Sequence, residues 1–182
     1  MTKTETAKLL SYITAVYPNI DIRQGTIEAW HDLLCDIPYE NAKAAVKKVL
    51  AEQEISCLPA VGKIRAAAVE LTTPRLPSAS EAWGEVTRAM RLYGYYRPDE
   101  ALASMSPATA AVVKRFGWRE MCACEEPEVL RGQFRMAYEQ YAAREREMAI
   151  MPADVRQLIS GVAEQLMLDA GRIVQDIQNR PR

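Results

Sequence analysis

The chain has 182 residues, 49% of them hydrophobic and 26% charged, with a formal net charge of −1. That is long and apolar enough to bury a core, and no part of it carries the bulk basic excess of a strong nucleic-acid binder. With 8 Gly and 10 Pro among abundant Ala, Glu, Leu, Arg and Met, the balance leans to helix and predicts an all-α fold. Cys35, Cys57, Cys122 and Cys124 lack the spacing of a disulfide framework, and no charged-then-apolar leader opens the chain. The apolar runs fall short of membrane-spanning length, so the expected setting is the reducing cytoplasm of a cell, with no membrane contact.

In chain order, Thr2 with Glu5 makes a capping-box pattern, and Leu9, Leu10, Ile13, Val16 and Tyr17 follow at helical spacing until Pro18. Asn19 to Gly25 is a turn-rich connector. Thr26 then stands at an N-cap position before Ile27, Trp30, Leu34 and Ile37, which recur in steps of three and four. Pro38 stops that helix and opens the next, because proline pushes the residue before it out of the α region and loses no N–H at a first helical position. The third helix runs from Pro38 to about Glu52, with Ala42, Val46, Val49 and Leu50 on its apolar face and Lys43, Lys47 and Lys48 on or near the other. A fourth follows Pro59 and uses Val61, Ile64, Ala68 and Leu71. These four predict a small N-terminal bundle over residues 1–72.

Pro74 and Pro77 cannot lie within one helix, so residues 73–79 read as a linker. The second helical domain, 80–151, opens on a capping-box pattern of Ser78 and Glu81, with Trp83, Val86, Met90 and Tyr93 as its first stripe and Gly94 as the stop. A short helix near 99–103 follows, then Ser106 as N-cap with Pro107 at the first helical position, running to Phe116 and Gly117. Trp118 to Cys124 is one more short turn. From Pro127 a long helix reaches about Ile150 on Leu130, Phe134, Ala137, Tyr141 and Met148. Met151-Pro152 breaks it, and residues 152–182 form a last, strongly amphipathic helix with Val155, Ile159, Val162, Leu166, Ala170, Ile173 and Ile177 in register. There is no fixed-period repeat, low-complexity tract or strand-like alternation.

Most catalytic chemistry is missing. A phosphate-binding loop needs G-x-x-x-x-G-K-[ST], but Gly62-Lys63 is followed by Ile64 and has Cys57 at the first glycine position. A Rossmann fingerprint and the H-E-x-x-H pattern are also absent, and His31 is the single histidine, which removes most triads and multi-histidine metal sites. His31 and Cys35 lie one helical turn apart and Cys122-Ala-Cys124 could join them around zinc, but paired-ligand spacings are lacking; Cys35 and Cys57 read instead as small buried apolar residues. The expectation is a protein that is not an enzyme and holds no metal or cofactor.

Two surfaces remain. Arg88, Arg91, Tyr95, Tyr96 and Arg97, with Lys114, Arg115, Trp118 and Arg119, interleave positive charge and aromatic rings, the combination that tracks phosphates and stacks single-stranded bases. The competing reading is a second core filled by Tyr and Trp with arginines at its rim. The terminal helix poses a similar choice: its stripe docks on the second domain, or is offered to a partner as a helix laid in a groove, or pairs with itself through a seam that Asp169 and Gly171 interrupt.

The pattern Trp30-x-x-Leu33-Leu34-x-x-Ile37-Pro38-Tyr39, an alanine/lysine helix, then Leu58-Pro59-Ala60-Val61-Gly62-Lys63-Ile64-Arg65 resembles the N-terminal domain of the bacteriophage replicative-helicase loader and inhibitor family. Ala82-Trp83, Tyr93-Gly94, Ser106-Pro107, Gly117-Trp118-Arg119 and Leu130-Arg131-x-Gln133-Phe134-x-x-x-Tyr138 look like the second half of such phage and prophage replication proteins. Relatives often carry two prolines and a small hydroxyl residue where this chain has Leu58-Pro59-Ala60. The resemblance implies a non-enzymatic protein in the bacterial host cytoplasm that binds a hexameric DnaB-type helicase, restrains its ATPase and delivers it to an origin marked by a phage initiator protein. On that reading Leu158, Ile159, Val162, Leu166, Ile173 and Ile177 are the helicase contacts. The alternative is a replisome organiser touching single-stranded DNA through Arg88, Arg91, Tyr95, Tyr96, Arg97, Lys114, Arg115 and Arg119.

Overall fold

The computed structural model describes residues 1–52 and 57–178, with side chains described to residue 169 and at 172. Among the described residues there are ten helices and no strand, so the fold is all-α. The chain divides into two compact units, one comprising Met1–Thr73 together with the chain from Ile150 onward, the other Pro74–Ala149.

The first unit holds α1 (Lys3–Val16), α2 (Gln24–Leu34), α3 (Tyr39–Glu52) and α4 (Val61–Thr72), followed much later by α10 (Ala153–Gln178). Thr2 caps α1 with both arms of a capping box, its side chain accepting from Glu5 N–H and Glu5 accepting from Thr2 N–H. Glu5's carboxyl is held below its ordinary value by those bonds from Thr2. The core is built from Leu9, Leu10, Ile13, Trp30, Leu34, Val46, Val49 and Ile64. Ala42 and Ala45 of α3 and Ala67 and Ala68 of α4 line it too, and such small side chains let two helix backbones approach closely.

Several details differ from the sequence expectation. Helix α2 starts at Gln24, and Thr26 lies in its first turn, donating its N–H to Arg23 O at 3.0 Å; Arg23 occupies the cap position without a side-chain bond. Ile37 falls outside α2, in the corner before Pro38, where it packs against the core from a half-buried position. Val16 and Leu71, expected on buried stripes, are exposed. Cys35 and Cys57, expected to be buried, are exposed as well: Cys35 caps α2 at the solvent side of the corner.

The second unit holds α5 (Ala79–Tyr93), α6 (Pro98–Ala103), α7 (Pro107–Phe116), α8 (Trp118–Cys122) and α9 (Pro127–Ile150), the last residue of α9 falling in the first unit. Ser78 and Glu81 close the second capping box. Ser106 caps α7, and Glu85 of α5 fixes that cap by accepting from Ser106 N–H at 3.0 Å and Oγ–H at 2.8 Å. Phe134 centres the core, with Trp83 at 5.4 Å, Tyr138 at 5.9 Å and Phe116 at 6.2 Å between ring centroids. The buried stripe of α9 is Leu130, Phe134, Tyr138 and Ala142, a strict step of four, with Ala137 and Tyr141 at its edge rather than on it. Buried Tyr138 keeps its hydroxyl satisfied by donating to Pro77 O at 2.9 Å.

Candidate functional site

Arg65 is a charged residue on the buried face of α4, one position after Ile64 and three before Ala68, and only 5% exposed. A buried guanidinium is tolerated where its donors are matched. Here all five N–H groups have an acceptor: Nε donates to Ile150 O, Nη1 to Leu33 O and Asp36 Oδ1, and Nη2 to Asp36 Oδ2 and Met151 O, at 2.5–2.9 Å. The fork on Asp36 is bidentate, the strongest geometry for this pair. Those bonds hold the Asp36 carboxyl below its ordinary value, against partial burial that pushes it up.

Asp36 also faces α10. Its Oδ2 accepts from Ala153 N–H at 3.1 Å, at the first residue of that helix, and Arg156 Nη2 lies 3.9 Å from the same oxygen. A carboxylate at a helix N-terminus satisfies an orphan N–H and complements the macrodipole. The α2–α3 corner thus caps the terminal helix from outside it, and Arg65 fixes the corner and the turn before α10 together.

Beyond this root, α10 is bare. From residue 154 to 169 every side chain except Arg156 is exposed, including Val155, Leu158, Ile159, Val162 and Leu166, which share one stripe. Leu158 is 69% and Leu166 65% exposed. The expected contacts Leu158, Ile159, Val162 and Leu166 are therefore brought together on one open apolar face; the side chains of Ile173 and Ile177 lie outside the described residues. Burying a leucine of this kind is worth about 1.5–3 kcal/mol, so an open row of them is a large unused contact energy.

In the second unit, Arg88 and Arg91 are exposed on α5, Lys114 and Arg115 on the last turn of α7, and Arg119 on α8. Trp118 is buried and donates Nε1–H to Gly94 O at 2.9 Å, joining the ends of α5 and α7. Tyr95, Tyr96 and Arg97 follow Gly94 and are exposed. Trp118 therefore belongs to the core, whereas the other expected nucleic-acid residues are at the surface.

His31, in the first unit, lies with Nδ1 3.4 Å from the hydroxyl of buried Thr6. Among the described residues no group of three or more His, Cys, Asp or Glu is placed to hold a metal ion. None of the described helices is long and apolar enough to cross a membrane.

Sequence reading passed over Asp36 and Arg65. The available signal was Arg65's own position: steps of three and four through Val61, Ile64 and Ala68 include it, and a charge on a core stripe calls for a buried partner.

Residues 1–65 match the family described as the N-terminal domain of the phage gene 39 protein, so this part of the chain is similar to a domain of a phage helicase-loader family. The matched span includes both Asp36 and Arg65. No curated protein and no solved structure matches the chain.

Proposed function

We propose that this protein is a non-enzymatic loader and inhibitor of a DnaB-type hexameric helicase in phage or prophage DNA replication, acting in the bacterial cytoplasm. The observation that carries this reading is the open apolar stripe of α10, rooted by Asp36 and Arg65 in the segment similar to a loader-family domain. A loader works by contact. It grips the helicase, restrains ATP turnover and hands the ring to an origin-bound initiator, all of which call for protein surfaces instead of an acid, base or nucleophile. An amphipathic helix fixed at one end suits this, because its apolar face enters a groove on the partner while its root keeps a defined origin.

The test is co-purification with the replicative helicase, with and without ATP, followed by the helicase ATPase rate. The wild-type chain is expected to form a complex and slow ATP turnover. The triple variant Leu158→Glu, Val162→Glu, Leu166→Glu changes only exposed positions and is expected to stay folded, lose the complex and leave the ATPase uninhibited. Absence of a complex under both nucleotide conditions overturns the proposal.

A further inference from the structure

The second unit carries a surface that a helicase contact through α10 does not use. Tyr96 is 87% exposed and Tyr95 43%, and their rings meet edge to face at 5.2 Å and 78°. The core beside them is already filled by Tyr93, Met90 and Trp118. Tyr96 adds nothing to that packing, and a ring so fully in water is unfavourable unless something covers it.

The charges around the pair are available. Arg119 lies over the Tyr95 ring at 5.8 Å, and Arg97 over Tyr93 at 5.5 Å while donating to Leu92 O at 2.9 Å. Among the described residues Arg88, Arg91, Arg97, Lys114, Arg115 and Arg119 make no ion pair, unlike Arg65, Arg75 and Arg135. The Glu120 carboxylate sits over Gly117 rather than pairing with Arg119. The Trp118 to Gly94 bond is what brings residues 88–97 and 114–119 to one place.

From the exposed Tyr95–Tyr96 pair beside unpaired arginines of two joined helix ends, we infer that this face binds single-stranded nucleic acid. Bases stack on the tyrosines, with Tyr96 the outer platform, and the arginines take the phosphates. Stacking accepts any base and phosphate contact reads no sequence, so the site is sequence-tolerant. A duplex hides its base faces and is the poorer ligand.

The test is fluorescence anisotropy of the full chain, without helicase, on labelled oligothymidylate of about 20 nucleotides, longer than the 4–16 of a typical single-strand module. An oligouridylate arm distinguishes DNA from RNA as the source, and a duplex competitor reports strand preference. Binding is expected at about 50 mM salt and to weaken steeply towards 200 mM through counterion release. Tyr96→Ala is expected to weaken it about 5- to 150-fold, as loss of one stacked base does. Arg91→Gln with Arg119→Gln is expected to weaken it and to flatten the salt dependence. These positions are exposed, and an unchanged thermal melt checks that each variant remains folded. No binding at low salt, duplex preferred over single strand, or affinity unchanged by both variants overturns the inference; a negative result leaves the helicase proposal intact, since α10 takes no part in this assay.

Discussion

At the scale of the residue, Arg65 shows why a guanidinium and an ammonium differ. Its five donors meet five acceptors in fixed directions, and a lysine has only three, without the planar fork. Arg65→Lys is expected to lower stability by about 1–3 kcal/mol through unmatched buried acceptors, and Arg65→Ala by about 3–5 kcal/mol because Asp36 is left without its partner. Urea unfolding followed by circular dichroism reads both. The pH dependence follows from Asp36. Its carboxyl titrates lower in the folded state than in the unfolded chain, so its contribution is complete above the ordinary aspartate value of about 3.9 and is lost as pH falls through the depressed folded value. Asp36→Asn is expected to remove that part of the acid limb, seen as a smaller loss of the urea midpoint between pH 6 and about pH 3 than in the wild type. The sequence made the two capping boxes legible because their partners are three residues apart. The Arg65–Asp36 fork was not, since the two are 29 apart and meet only once the bundle has formed.

At the scale of the element, α5 offers a paired comparison on one amino acid. Gly84 lies in mid-helix with open space where a Cβ would go, so Gly84→Ala is expected to raise stability by about 0.5–1 kcal/mol. Gly94 also has open space, but its φ of 60° and ψ of −163° fall in a region that is essentially glycine's alone. Gly94→Ala is expected to cost about 1–3 kcal/mol by backbone strain alone. Thermal melts of the two variants, made side by side, should shift in opposite directions. Helix existence was readable throughout, since proline, glycine and capping residues punctuate this chain at most joints. Boundaries were less so: α2 begins ahead of Thr26 because Arg23 O already accepts from Thr26 and Ile27, a backbone choice no side chain announces.

At the scale of the whole molecule, the all-α class was legible from composition and period. The surroundings of α10 were not, because amphipathic spacing states that a helix has an apolar face without stating what meets it. The structure anchors its first turn to the α2–α3 corner and leaves the expected contacts Leu158, Ile159, Val162 and Leu166 uncovered. Deleting residues 153–182 keeps Ile150 and Met151, and with them the carbonyls that Arg65 needs. The shortened chain is therefore expected to stay folded by circular dichroism while failing to co-purify with the helicase.

The cap that Asp36 places on Ala153 also sets an order of events. A helix must fix its first turn before any turn can follow, and that nucleation is the unfavourable step. Here the step is taken against a surface that exists only after α2, α3 and α4 have assembled, whereas the core of that bundle contains no residue of α10. The dependence runs one way: a misfolded bundle cannot template the helix, yet the bundle stands without it. The apolar stripe is thus displayed in helical form only by molecules whose N-terminal unit is already correct.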